Sequence, residues 1–247
     1  MGKWFFHRFY SKHPVIRRHL PPTSVFRAAT LNQYLRRYGA VYIKPDRTHQ
    51  GKGVIKAWKT GKGYAWVLLR GAPKKCRTSG QLYRAIKKRA LPQEHIVQKA
   101  IRLARIRGRP LDIRVMMMRN TRNRWQFFGL YSKVAGPTSI VTNISNSRGY
   151  VLPFEKSMKQ SLGLSRTEAN LVKARMVRLS HAICRHAGKI RRYHKVGIDF
   201  AVDARKKIWM IEANFTYPGY KGFSRLPDKT AYWRIKKMDN ILRSRLR

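Results

Sequence analysis

Three carboxylates in "VGIDFAVDARKKIWMIEANFTYPGY", residues 196–220, are the first candidates for chemistry: Asp199, Asp203 and Glu212. The whole chain has only 10 Asp and Glu against 56 Lys and Arg. An even spread would place roughly one acid in a stretch of this length. Alternation puts Ile198, Phe200 and Val202 on one side of a strand, with Asp199, Ala201 and Asp203 on the other. In "IWMIEAN" it sets Trp209, Ile211 and Ala213 against Met210, Glu212 and Asn214. With "ARKK" as the hairpin loop and Asp203 opposite Ile208, Asp199 falls opposite Glu212, and Asn214 follows on the same face. Like charges directly opposed on a sheet repel. A positive group must lie between them. Both Lys or Arg in an ion-pair network and a hard cation held by carboxylate and amide oxygens meet that need.

Composition bounds what surrounds this hairpin. A chain of 247 residues with 43% hydrophobic and 11% aromatic content has enough material for a folded core, as one large domain or two small ones. A net charge of +46 makes any polyanion a ligand by field alone, including nucleic acid, nonspecifically. The basic residues are spread along the chain, and no finger, RNP-type or basic-zipper signature accompanies them. No apolar run reaches the ~20 residues of a membrane helix. The start, "MGKWFFHRFYSKHP", lacks a secretory core, and Phe6 stands where a myristoylation signal needs Ser or Thr. The expectation is a cytoplasmic protein. Two cysteines, Cys76 and Cys184, are too few for a disulfide framework.

Further back, the elements read as α+β. Thr23 or Ser24 caps a helix that stops at Gly39. "AVYIKP" is a strand, followed by the polar loop "DRTHQGKG". "VIKAW" and "YAWVLLR" are strands, and "TSGQLYRAIKKRA" is a capped helix. "HIVQKAI" is a short strand. "PLDIRVMMMR" and "WQFFGLYSKV" form a second hairpin around "NTRN". Ser165 and Glu168 make the capping box of a long helix that Gly188 ends. "TAYWRIKKMDNILRSRL" is a terminal helix. The expected organisation is an N-terminal helical segment (1–39), a small lobe (40–97) and a large lobe (98–247).

Two further motifs carry chemistry. Lys44 ends a strand just before a loop bracketed by Gly51 and Gly53, with Lys52 between them. Glycines let backbone amides approach phosphate, although this is not a Walker loop. Asp112 and Arg114 share one strand face, most simply as an ion pair.

The order "YIKP…GKGV", "HIVQKAI", "RPLDIRV", "VGIDF", "WMIEAN" resembles the ATP-grasp superfamily. Within it the chain is most similar to the YheC/YheD-type, endospore coat-associated group. "GKW", "RRHLPPTSVF", "RWQFFG" and "TNIS" fit that group's pattern too, so the resemblance covers nearly the whole chain. It implies two α+β lobes clasping ATP, with the N-terminal domain of many such enzymes reduced or absent. It implies that Lys3 and Lys44 contact phosphate and nucleotide, that the Gly51–Gly53 loop covers the phosphates, and that Gln98 sits at the adenine hinge. Arg114 and Lys133 would act on the phosphates or the reacting carboxylate. Asp199, Glu212 and Asn214 would hold magnesium, with manganese as the alternative ion. The implied activity is ligation of a carboxylate to an amine or thiol through an acyl phosphate; the substrate could be an acidic peptide or another polyanion. Two rivals stand beside it: a nucleotide-binding spore-coat-associated protein without turnover, and a basic polyanion-binding protein on the same fold. The sequence departs from the family at Lys133, where Arg is usual, and at "SRGY", where Tyr150 follows Gly149 in place of a second glycine. Lysine offers a point charge where arginine offers a bidentate fork.

Overall fold

The glycines and polar turns divide the chain into short alternating runs, and these runs pair almost wholly antiparallel. In the computed structural model, residues 1–48, 51–69, 71–137, 139–140, 142, 148–216 and 218–244 are described. Two six-stranded sheets form two lobes. The smaller lobe contains β1 (Thr23–Val25), α2 (Ala28–Tyr38), β2 (Ala40–Pro45), β3 (Ile55–Thr60), β4 (Gly63–Leu68), β5 (Lys74–Cys76), α3 (Ser79–Arg89) and β6 (His95–Lys99), while α1 (Lys3–Ser11) packs Phe6, Phe9 and Tyr10 into the core of the larger lobe. Its strand order is β1-β6-β2-β3-β4-β5. Leu31 and Leu35 of α2 and Leu82 and Ile86 of α3 cover one sheet face, over Val41, Ile43, Ile55, Ala57 and Val97.

The larger lobe contains β7 (Arg105–Ile106), β8 (Arg109–Arg119), β9 (Trp125–Val134), β10 (Tyr150–Leu152), α4 (Phe154–Leu162), α5 (Arg166–Ala187), β11 (Lys195–Val202), β12 (Ile208–Asn214) and α6 (Thr230–Ser244). The order is β10-β9-β8-β11-β12, with β7 paired to β8. Alternation along β8 decides which side each residue serves. Leu111, Ile113, Val115 and Met117 join the core under α4 and α5. Met116 and Met118 join the core under α6 with Phe223 and Ile235. Asp112 and Arg114 lie on this second face, beyond the reach of α6.

Several boundaries differ from the sequence reading. Thr23 and Ser24 do not cap α2. They pair with Gln98 and Val97 as strand β1, and Arg27 is the N-cap instead. The Arg27 amide donates to the Thr30 hydroxyl at 2.9 Å, which in turn donates to the Val25 carbonyl. The β6 strand spans residue 97, where the lobe boundary was expected. Helices α1 and α4 and the short strands β5, β7 and β10 were not anticipated. The α1 helix is capped from a distance. Gly2 precedes it, and Asp46 Oδ1 accepts from the Trp4 amide at 2.7 Å. A side chain at position 2 would collide with that carboxylate, so the cap requires glycine. The capping box of Ser165 and Glu168 on α5 is present as expected.

Candidate functional site

The site grows from register. Along β8 and β11, Arg114 is the cross-strand partner of Asp199. Along β8 and β9, Asp112 is the partner of Lys133. Along β11 and β12, Asp199 is the partner of Glu212. Four neighbouring strands therefore bring five charged residues onto one face.

The expected opposition of Asp199 and Glu212 is found, but by a different route. Val202, not Asp203, faces Ile208, and a bulge follows Asp199 so that Phe200 faces Met210. The extra residue, Ile211, shifts the alternation by one position. Met210 therefore enters the core with Phe200 and does not share the face of Glu212. Asp203 closes the hairpin. Its carboxylate accepts from the Arg205 and Lys207 amides and from Trp209 Nε1.

The ion pairs also differ from the expected one. Arg114 does not pair with Asp112 along its own strand. It crosses to Asp199, donating from Nε at 2.6 Å and from Nη2 at 3.0 Å, while its Nη1 donates to the Gly219 carbonyl at 2.8 Å. Lys133 Nζ donates to Asp199 Oδ1 at 3.0 Å. It lies equally close to Asp112 Oδ1, at 3.0 Å, but off the hydrogen-bonding direction, so that contact is an ion pair only. The Thr142 hydroxyl donates to the other Asp112 oxygen. Side chains two apart on a strand point the same way but diverge, whereas directly opposed ones converge. That geometry favours the cross-strand pairs.

Burial sets the proton affinities. Desolvation acts to raise Asp199, but Arg114 and Lys133 outweigh it and hold the carboxyl at about 2. Asp112 shares Lys133 and lacks a guanidinium, so desolvation wins and lifts it to about 6. Lys133 is also desolvated, yet the two carboxylates keep it above the ordinary lysine value.

Lys3 and Lys44 approach from the smaller lobe. Lys44 Nζ donates to Gln98 Oε1 at 2.6 Å, and Gln98 Nε2 donates to the Thr23 hydroxyl at 2.8 Å. Gln98 thus aims Lys44. The hinge backbone is already committed, since the Lys99 and Ala100 amides donate to Pro22 and Ala40 carbonyls. Burial pushes Lys44 down to about 8, Glu212 holds part of it back, and Lys3 pushes it further. Lys3 Nζ donates to the Pro45 carbonyl at 3.1 Å and to Thr48, and burial lowers it while Glu212 and Asp46 oppose. Gly51 and Gly53 hold φ of +74° and +73°, a turn closed by Val54 N donating to Gly51 O, with Lys52 exposed at its tip. His49, Gln50 and residues 143–145 of the "TNIS" motif lie outside the described residues.

Glu212 is the exception among the acids. Among the described residues, eight of the ten carboxylates accept a hydrogen bond or an ion pair; exposed Glu94 and half-buried Glu212 do not. Asn214, two residues on, likewise has no side-chain hydrogen bond among the described residues. A hard divalent ion fits this donor set. An ionised carboxylate offers about four acceptor positions. Asp199 uses three, on Arg114 twice and Lys133 once, which leaves one on Oδ2. That position, the Glu212 carboxylate and the Asn214 amide oxygen are the oxygen ligands such an ion takes.

The model of the family described as YheC/D like ATP-grasp matches residues 1–240. The chain belongs to that family. Over 233 residues, 90% of this chain, it is 27% identical to the endospore coat-associated protein YheD of Bacillus subtilis (strain 168). It spans about half the length of that curated relative, 49%. Among solved structures it resembles the C-terminal domain of K. lactis Pby1, described as an ATP-grasp enzyme interacting with the mRNA decapping enzyme Dcp2. That match has a TM-score of 0.52 and 14% identity, and covers 93% of this chain and 68% of the other. The ATP-grasp architecture of two α+β lobes expected from the sequence is the one observed. Among the described residues no helix is long and apolar enough to cross a membrane.

Tyr131 was not anticipated. It is the β9 partner of Arg114, and its hydroxyl end lies against Gly222. Its aromatic neighbours in "WQFFGLYSKV" hide it in the sequence, because nothing there marks which ring of the core borders the site.

Proposed function

We propose that this YheC/D-like protein binds ATP with magnesium between its lobes and uses it to join a carboxylate to an amine or a thiol. The observation that carries the reading is Glu212: a half-buried carboxylate without a hydrogen-bond partner among the described residues, opposite Asp199 and within the field of two half-buried lysines. In this reading Lys3 and Lys44 hold the phosphates, the Gly51–Gly53 turn lies over them, and Gln98 keeps Lys44 aimed. Asp199, Glu212 and Asn214 would hold the ion, magnesium or manganese, whose charge offsets that of the phosphate oxygens. Arg114 and Lys133 orient the substrate carboxylate and stabilise negative charge as it develops. The substrate carboxylate oxygen bonds to the γ-phosphorus as the bond to the β–γ bridging oxygen breaks, releasing ADP. The nucleophile then displaces phosphate from the acyl carbon and loses its proton.

A net charge of +46 favours an acidic peptide or another polyanion as the carboxylate donor. By similarity to its relative, the place of action is the cytoplasm of a sporulating cell or the spore coat. One observation favours a second reading, nucleotide binding without turnover: both Arg114 and Lys133 are already committed to Asp199.

Calorimetry with ATP at about 0.5 M salt, with and without magnesium, tests the reading, because that salt suppresses nonspecific attraction. Saturable, magnesium-dependent binding that Glu212→Gln removes supports it. Binding that salt abolishes and magnesium ignores overturns it in favour of a basic scaffold. ADP release that depends on an added carboxylate then separates the ligase from the protein without turnover.

A further inference from the structure

At the other end of the large sheet, the turn between β8 and β9 meets the start of β11 and the end of α6. A cleft of about 250 Å³ lies there, lined by Arg119, Asn120, Thr121, Asn123, Arg192, His194 and Leu242. It is about 17 Å from Arg114 along β8, at roughly 3.4 Å per residue.

Its lining is polar or basic apart from one leucine. No carboxylate is part of it. The nearest acid on α6, Asp239, is occupied by Lys195 and Arg243. Arg119 is fixed in place. Its Nε donates to the Tyr193 carbonyl at 2.9 Å, its Nη1 donates to the Asn123 carbonyl at 2.5 Å, and its guanidinium lies 4.8 Å from the centre of the Trp125 ring. Asn120 spends its Oδ1 on the Arg124 amide, so its NH₂ is the end left to donate. Burial and then Arg192 hold Arg119 below the ordinary arginine value. Burial, then Arg192, then Arg119 hold His194 below the ordinary histidine value. Most cations of this chain spread over its surface. Here two guanidiniums and an imidazole converge on a concave space with nothing negative in its lining.

We propose that this cleft is a second anion site, separate from the nucleotide site, which takes a phosphate dianion, free or as a phosphomonoester. Arg192 and the remaining Arg119 N–H supply charge, and the Asn120 amide and His194 supply direction. At about 250 Å³ and open to solvent, the cleft has room for a phosphoryl group and for part of whatever carries it. The inference stands whether or not the chain turns over ATP.

The test reads His194 directly. The full chain, ¹³C-labelled at its eight histidines, is titrated with sodium phosphate at pH 7.5 in about 0.3 M sodium chloride, which screens diffuse attraction. His194→Gln assigns the resonance. The expected result is a saturable shift of His194, half-complete at or below about 1 mM, and a rise in its titration midpoint as the anion offsets Arg192 and Arg119. Arg192 is exposed, so Arg192→Ala folds; it weakens the half-saturation by at least about tenfold through loss of a charge-assisted hydrogen bond. Methyl phosphate distinguishes the sources. A matching shift assigns the cleft to phosphomonoesters, and phosphate acting alone assigns it to the free ion. Phosphate held only at the nucleotide site leaves His194 unmoved and overturns the proposal. So does an equal shift from chloride at matched ionic strength, or an Arg192→Ala variant that binds like the wild type.

Discussion

Asp199 and Glu212 are register partners on adjacent strands, yet their surroundings differ. Asp199 lies on β11, an interior strand, with β8 beside it and β9 beyond. Those strands deliver Arg114 and Lys133 to it from 2.6 to 3.0 Å. Glu212 lies on β12, an edge strand, and among the described residues no cation of its own sheet pairs with it. Lys3 and Lys44, from the other lobe, feel its charge. An interior position recruits partners and turns an acid into part of the framework. An edge position leaves the acid available for something that arrives later. The paucity of acids sharpens the contrast, because a protein at +46 does not lack cations to pair with Glu212.

The largest effect that can break this comparison is in stability. Asp199→Ala leaves Arg114 and Lys133 buried without their shared anion, and the expected loss is about 3–5 kcal/mol in urea unfolding. A loss below about 1 kcal/mol would mean that Asp199 is as free as Glu212. For the same reason, failure of Asp199→Ala to bind ATP is informative only where the variant is shown to be folded.

Acid and base limbs should next separate the two buried acids. Asp199 has a folded value of about 2 against 3.8, so its stabilisation is present above pH 3.8 and disappears between 3.8 and about 2. Asp112 is displaced the other way, to about 6, so its contribution is full below pH 3.8 and is lost as the pH rises towards 6. Urea midpoints measured from pH 3 to 7 should therefore fall between about 4 and 6 through Asp112. Asp112→Asn should flatten that limb and leave the acid one. An unchanged limb in the variant would assign the slope to another group.

A smaller effect probes the Glu212 side. Lys44 at about 8 is half protonated at pH 8, and bound phosphate restores its charge. ATP binding at pH 8 should then take up about half a proton, read from calorimetric enthalpies in buffers of different ionisation heat. Lys44→Gln should remove the uptake. Equal uptake in that variant would place the proton elsewhere. The smallest expected change is the stability of Glu212→Gln, within about 0.5 kcal/mol of the parent, although magnesium-dependent ATP binding is lost. A large destabilisation would show that Glu212 belongs to the framework after all.

The sequence carried much of this arrangement. Alternation in "VGIDF" and "IWMIEAN" identified two paired strands carrying Asp199 and Glu212, and the capping box of Ser165 and Glu168 was readable in full. What it hid depended on distant partners. The bulge at Ile211 leaves no local mark, and it rescued an opposition that had been derived from the wrong pairing of Asp203. Strand β1 lies in three residues that look like a cap, because the partner that makes them a strand, β6, is far along the chain. The N-terminal helix is capped by Asp46, 42 residues beyond Trp4. Along β8, "LDIRV" suggested a pair within one strand, whereas two neighbouring strands supply the true partners of Asp112 and Arg114.

The bulge at Ile211 also makes the hairpin usable as a handle. The tip, from Asp203 to Lys207, is closed by its own carboxylate and amides, and Ala204 to Lys207 are exposed. The irregular residue stands between that tip and Glu212. A fluorophore or a short tag attached at Arg205 would sit on a tip tied to α5 through Lys206 and Glu168, with a strand irregularity acting as an expansion joint between label and carboxylate. It would follow the edge strand without displacing the group that the strand holds out.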